Sequence, residues 1–207
     1  MEIDNSYDDA LRASAYAQLE FPGTYYLAFR DLPSLIQQHV QGRRAVDFGY
    51  GTGRSTRFLK ALGFQTVGVD IAEDMLTQAL ERDPEGEYVL LGEDGLDRFT
   101  AGTTDLILSA FTFDNVPELS EKITLMQEFA RMLSGRGVFV NLVSSPDIYV
   151  HEWASFSTRD FPENRHAGSG DRVRIINTDI ADSRPVKDVV CSDADYQVIY
   201  VLGKANE

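Results

Sequence analysis

Val46-Asp47-Phe48-Gly49-Tyr50-Gly51-Thr52-Gly53-Arg54-Ser55 is the stretch that decides the fold. It leaves a short apolar run, Ala45 to Phe48, with the length and composition of a buried strand. It enters a helical pattern, Arg54 to Leu62, with Phe58, Leu59 and Leu62 at helical spacing and Gly63 as a stop. Three glycines at alternate positions let the backbone turn sharply and approach a ligand closely. The helix that follows points its free N–H groups at the same place. Taken singly, the glycines also suit a purely structural turn, and Asp47 also suits a turn cap.

Outward from this stretch the pattern repeats. Thr66–Asp70, Tyr88–Leu91, Asp105–Ser109 and Gly137–Val143 read as further strands. Between them, Ala72–Glu81 carries Met75, Leu76, Ala79 and Leu80 at helical spacing. Leu119–Leu133 carries Ile123, Met126, Phe129, Ala130 and Leu133, with Ser120 as N-cap and Gly135 as stop. Repeated strand–helix–strand units predict an α/β, Rossmann-like, doubly wound and mostly parallel sheet with helices on both faces. Ligands of such sheets sit beyond the carboxyl ends of the strands, at the point where the strand order reverses. Asp70 stands at such an end, 23 residues past Asp47. A carboxylate there suits both hydroxyls of a ribose, or is a plain surface acid.

Two cofactor classes use a strand–glycine loop–helix. A dinucleotide site wants G-x-G-x-x-G, and position 54, where the last glycine would fall, holds Arg54. The observed spacing is G-x-G-x-G with an acid two residues before the first glycine. S-adenosylmethionine (SAM) has no phosphate to cradle. It carries a sulfonium and an ammonium, which an acid at the strand end suits better.

Residues 43 to 143 resemble the class I SAM-dependent methyltransferases. Val46 to Gly53 is similar to the family's first motif. Gly68-Val-Asp70-Ile71-Ala-Glu-Asp-Met75 is similar to the second, whose acid takes the ribose. The resemblance implies SAM contacts at Asp47, Gly49, Tyr50, Gly51, Gly53, Asp70, Ile71 and Met75. It puts Glu93 or Asp94 near the adenine amine, and Ser109, Ala110 and Phe111 along the methionine part. Tyr26, in the stretch Phe21–Tyr26, would stand near the cofactor carboxylate. Tyr50 departs from the family's usual small residue or cysteine, and would crowd or stack on the cofactor. Each has a bland counterpart: Glu93 and Asp94 as solvated acids, Phe111 and Phe113 as core, Phe21–Tyr26 as a segment docked on the sheet edge rather than a lid. Asn115-Val-Pro, Tyr149-Val-His-Glu-Trp-Ala-Ser-Phe156 and Gly170-Asp-Arg-Val are similar to a subgroup of small-molecule methyltransferases with an extra segment after the fifth strand.

These readings imply transfer of a methyl group from SAM to an O, N or C nucleophile of a small molecule, leaving S-adenosylhomocysteine (SAH). A base is needed only if the acceptor must lose a proton; Asp114 and His151 are the candidates, with Asn115 as an orienting group. His151 also suits a structural hydrogen-bonding role. The rivals are a SAM-binding regulator or inactive partner subunit, an NAD-dependent oxidoreductase, and a methyltransferase acting on a macromolecule. The segment Ser144–Asp171, with Tyr149, Trp153, Phe156 and Phe161, reads as a wall of a substrate pocket. At the C-terminal end, Asp195–Leu202 suits a closing strand, whereas Ser192-Asp-Ala-Asp195 suits a helix N-cap. The subgroup resemblance favours the helix, which leaves out the family's usual last two strands.

Bulk properties frame these readings. The 207 residues are 43% hydrophobic and 25% charged, an ordinary globular composition. We read one methyltransferase domain over 1–207: an N-terminal lid or helical segment over 1–42, a cofactor-binding core over 43–143, and a substrate-side segment and C-terminal element over 144–207. The net charge of −14 repels phosphate backbones and anionic headgroups, so nucleic acid and membranes are poor partners. A homodimer is the assembly considered. Cys191 is the single cysteine, which suits a reducing cytoplasm. No signal-peptide pattern opens the chain, and no apolar run reaches the roughly 18–20 residues of a membrane span. The three histidines and one cysteine show no metal-ligand spacing.

Overall fold

The computed structural model describes residues 9–19, 25–92 and 94–204. They form two compact units, one built from residues up to Ala110 with Arg131–Leu142, the other from Phe111–Ala130 with the residues from Val143 onward.

The first unit holds a five-stranded sheet in which every pairing is parallel. Its strands are β1 (Arg44–Phe48), β2 (Gln65–Asp70), β3 (Glu87–Leu90), β4 (Thr104–Ala110) and β5 (Leu133–Leu142), in spatial order β3-β2-β1-β4-β5. The order reverses between β1 and β4, where ligands of such sheets bind. In register, Val46 lies between Val67 of β2 and Ile107 of β4. Leu106, Ile107 and Leu108 are all fully buried, so consecutive residues of β4 are covered on both faces. This is why the strand is a continuous apolar run. Helices α1 (Ala10–Tyr16), α2 (Tyr26–Arg30) and α3 (Leu32–His39) precede the sheet. Helices α4 (Arg54–Ala61) and α5 (Glu73–Arg82) are the crossovers from β1 to β2 and from β2 to β3.

Helix α6 (Leu119–Met132) runs directly into β5. The strand starts four residues before the expected Gly137, and the helix ends without using Gly135 as a stop. The cause lies just before β4: the N–H of Gly102 donates to the carbonyl of Arg131 at 2.9 Å, and that of Thr103 to Met132 at 3.0 Å. Two of the carbonyls orphaned at a helix end are thus satisfied, and Leu133 can pair at once with Thr104.

The second unit contains a three-stranded antiparallel sheet, β6 (Phe156–Ser157), β7 (Arg172–Asn177) and β8 (Val186–Val189), in order β6-β7-β8. The sequence patterns predict no strand at these three positions. Yet β7 alternates strictly at its start: Val173 and Ile175 are buried and Arg172 and Arg174 exposed. Tyr149, Val173, Ile175 and Val190 form its core, with Phe156 and Val186 against them. Tyr149 and Phe156 therefore serve first as packing residues of this sheet. Of the two readings of the C-terminal stretch, the helix forms, as α7 (Asp193–Gly203). The Ser192 hydroxyl accepts from the Asp195 N–H at 3.2 Å, while the Asp195 carboxylate accepts from the Ser192 N–H at 2.7 Å, a complete capping box. Tyr196 and Ile199 bury its inner face.

At its last turn α7 meets α6 so closely that a Cβ on Gly203 would lie 2.4 Å from the Cβ of Met126. An alanine in a helix is ordinarily worth about 1 kcal/mol over glycine. Here Gly203→Ala is expected to destabilise by roughly 1–3 kcal/mol through overpacking, read from chemical denaturation. A neutral or stabilising result would refute this close contact.

Candidate cofactor site

The turn from β1 into α4 has left-handed backbone at each of its three glycines: φ is 74° at Gly49, 54° at Gly51 and 78° at Gly53. Side chains resist that conformation, which accounts for glycine at alternate positions. The turn is fastened to β2 by the N–H of Gly49, which donates to the Val69 carbonyl at 2.8 Å, and closed on itself by Gly53 N–H to the Tyr50 carbonyl at 2.8 Å. A Cβ on Gly53 would also fall 2.6 Å from the hydroxyl of Tyr88.

Two carboxylates flank this turn. Asp47 is fully buried. Its Oδ2 accepts the hydroxyls of Ser55 at 2.7 Å and Thr56 at 2.6 Å, whereas Oδ1 is buried with no hydrogen-bond partner among the described residues. Burial pushes this carboxyl up to about 6, against the hydroxyls of Thr56 and Ser55, which favour the charge. An orphaned buried carboxylate oxygen is a costly feature. It suits a ligand that brings a donor or a positive charge. Asp70 ends β2 half-buried. Its Oδ2 accepts the Gly51 N–H at 2.8 Å, and its Oδ1 accepts those of Ile71 at 2.7 Å and Ala72 at 3.0 Å. Burial raises its pKa, and the N–H groups of Gly51, Ala72 and Ile71 oppose the shift. A carboxylate offers about four acceptor sites, so the backbone takes most of them and leaves capacity on Oδ2.

The other expected contacts fall in different places. Ile71 and Asp94 are exposed at the ends of β2 and beyond β3. Ser109 and Ala110 close β4, on the far side of the reversal from β2. Ser109 is fully buried, and its hydroxyl has no hydrogen-bond partner among the described residues. Tyr26 is half exposed at the start of α2. Glu93 and Phe21–Thr24 lie outside the described residues. Tyr50 and Met75 are both 2% exposed, packed together with Ala13, Ala72 and Ala79. Tyr50 meets Tyr88 edge-on with ring centres 5.0 Å apart. Room for these rings comes from Gly68 of β2, where a Cβ would lie 2.9 Å from Tyr50 and 3.0 Å from Tyr88. The bulk at position 50 thus goes into the core of this unit. Ser55, Thr56 and Arg54 are not among the residues singled out from sequence as cofactor contacts. The signal for the first two is their place in the first turn after the loop, where a hydroxyl can reach back to β1.

In the second unit, Phe111 has φ of 62°, the one left-handed non-glycine residue among those described. Asn115 Nδ2 donates to its carbonyl at 3.0 Å. Asp114 is buried, accepting the Ser144 N–H at 2.9 Å and the Tyr196 hydroxyl at 3.5 Å. Burial raises its pKa, while those hydrogen bonds and the Lys122 charge oppose the rise. Lys122 is also buried and donates to the Phe113 carbonyl at 2.6 Å. His151 is exposed.

Residues 46–141 match the family model described as a methyltransferase domain. This match lies within the stretch whose motifs resemble the class I SAM-dependent methyltransferases. The chain is similar to an uncharacterized methyltransferase of Alkaliphilus oremlandii, 26% identical over 152 residues, covering 72% of this chain and 68% of that one. The ubiquinone biosynthesis O-methyltransferase of Nitrosococcus oceani is 26% identical over 63% of this chain and 58% of its own. The 18S rRNA (guanine-N(7))-methyltransferase of Bos taurus is 42% identical over 65 residues, 31% of this chain and 23% of its own. The fold is shared with a protein from Pyrococcus horikoshii OT3, with a TM-score of 0.64 at 20% identity over 87% of this chain and 82% of that one. An S-adenosylmethionine-dependent methyltransferase from Clostridium acetobutylicum has a TM-score of 0.60 at 14% identity, over 95% and 84%. SAM is the cofactor of this family.

The raised carboxyl of Asp47 has a measurable consequence. Its folded pKa lies above its ordinary value of 3.8, so the folded state binds that proton more tightly, and stability falls as pH rises from about 4 through about 6. An asparagine side chain in its place mimics the protonated form. The melting temperature of Asp47→Asn minus that of the parent, both without ligand, is therefore expected to grow by several degrees between pH 4 and pH 7 in scanning fluorimetry. A difference that stays flat or shrinks would remove the buried charge from the account.

Proposed function

We propose that the protein transfers the methyl group of SAM to an oxygen, nitrogen or carbon nucleophile of a small molecule. The observation that carries this reading is the left-handed glycine turn with a buried, half-partnered carboxylate at its start and a second carboxylate tied to its middle. In it, Asp47 answers the positive charge of the cofactor and Asp70 its ribose. Gly49, Gly51 and Gly53 admit the cofactor to the backbone. Ile71 and Asp94 border the nucleoside, and Ser109, Ala110 and Tyr26 the methionine part. Tyr50 and Met75 support the turn from the core. Bound SAM supplies a methyl group already activated by its positive sulfur. The chain's contribution is then alignment, worth roughly 7–11 kcal/mol in favourable cases. Asp114 has both oxygens engaged and His151 is exposed, so neither is assigned as an obligatory base.

For the acceptor, the surplus of acidic residues disfavours a phosphate backbone. The relative named for rRNA aligns over a short stretch only. The relative named for ubiquinone biosynthesis aligns over about twice as much of this chain. We read the chain as a single functional domain acting in the cytoplasm, in keeping with its lone Cys191, which is buried. No helix among the described residues is long and apolar enough to cross a membrane.

Calorimetry tests the site and labelling tests the acceptor. The parent is expected to bind SAM and SAH, and Asp70→Asn to bind about tenfold more weakly or worse, as for loss of a charged hydrogen bond. With methyl-labelled SAM and a fractionated cell extract, label is expected in the low-molecular-weight fraction. No heat at millimolar SAM refutes the cradle, and label confined to RNA or protein refutes the small-molecule acceptor.

A further inference from the structure

Arg54 directly follows Gly53, yet its side chain is only 7% exposed. A buried guanidinium persists only where its surroundings answer the charge. Part of that answer is the nearby Asp47 carboxylate, and part comes from the N-terminal segment. Arg54 Nη1 donates to the Leu19 carbonyl at 2.6 Å, and the guanidinium lies 4.0 Å from the ring centre of Tyr25 and 5.7 Å from that of Tyr16. The same segment lies beside the glycine turn: a Cβ on Gly51 would come within 3.6 Å of Cε1 of Tyr16. Helix α1 has seven residues, too few to hold its shape unaided. It is held by the Asp9 cap, by Ala13 buried against Tyr50 and Met75, and by Arg82, which donates to the Ala17 carbonyl at 3.1 Å. Arg54 joins the far end of this segment, at Leu19 and Tyr25, to the end of the turn.

We propose that Arg54 is a positioning residue that latches the N-terminal segment, α1 with Leu19 and Tyr25, onto the glycine turn, so that docking of the segment and residence of the cofactor are coupled. The latch rests on the cofactor reading of that turn. Coupling is reciprocal: a cofactor that favours the docked segment is in turn held longer by it. Arginine suits the task because one fork donates to a carbonyl while its plane lies on an aromatic face, a combination lysine cannot reproduce. The chemistry is that of a clasp, with no role for Arg54 on the reacting atoms.

The test measures SAH dissociation by stopped flow and amide exchange with and without SAH, in the full chain. Arg54→Met is expected to release SAH about tenfold faster with association little changed, and Arg54→Lys to fall between it and the parent. In the parent, SAH is expected to protect the amides of residues 9–19; in Arg54→Met that protection is expected to be lost while SAH still protects β1 and β2. Tyr25→Leu, which removes only the stacked ring, is expected to move both readouts the same way, and carries the test should Arg54→Met fail to fold. A parent that binds SAH, with variants releasing it within about twofold of the parent rate, overturns the latch alone. Protection lost equally from β1 and β2 also overturns it, because that marks general loosening. A parent that does not bind SAH overturns the cofactor reading, and the latch with it.

Discussion

A buried charge organises the first unit. Asp47 stands at the carboxyl end of the central strand, fully buried, where an ionised carboxylate is held by two hydroxyls from the first turn of α4. That requirement fixes where α4 begins relative to β1, because Ser55 and Thr56 must reach back across the turn. The turn can be that tight only with left-handed backbone at 49, 51 and 53. Its middle is then within reach of Asp70 on the neighbouring strand. Strand order, glycine spacing and the pairing of the two acids are parts of one arrangement, which leaves Oδ1 of Asp47 without a hydrogen-bond partner among the described residues.

Such a site is inexpensive to locate in sequence because its demands are local. Glycine at a left-handed position, an acid at a strand end and the alternation of strand and helix all lie within a few residues of one another, and Asp47, Asp70 and the five parallel strands are visible for that reason. What depended on distant partners was not visible. Nothing near Met132 announces that Gly102 and Thr103 will take the last helical carbonyls and let β5 start at once. Tyr50 was legible as an unusual residue, but its direction was not, because that depends on Gly68 in another strand. Arg54 could be used only negatively, as a missing glycine, since its partners Leu19 and Tyr25 are about thirty residues away in sequence.

The second unit shows the opposite balance. Its antiparallel sheet has readable alternation in β7, yet its interior is polar in an unusual degree. Lys122, Asp114 and Tyr196 are all buried, with Asp188 accepting the Tyr149 hydroxyl at 3.1 Å nearby in the same unit. Buried ionic groups of this kind more often specify one arrangement than add stability. Here they fix the stretch Phe113–Asn115 through the Lys122 bond to the Phe113 carbonyl and the Ser144 bond to Asp114. That stretch follows directly on Phe111, whose strained backbone needs surroundings that hold it.

The exchange of volume between Tyr50 and Gly68 binds two positions on neighbouring strands into one inheritable choice. A small side chain at 50 would leave a void beside Tyr88 and remove the nearest obstacle to a Cβ at 68, while Thr56 and Tyr88 would still stand 3.0 Å from it. Enlarging position 68 with Tyr50 in place brings that Cβ to 2.9 Å from the ring, so the ring must shift. The two positions are therefore best exchanged together, with Thr56 as a third party to the fit.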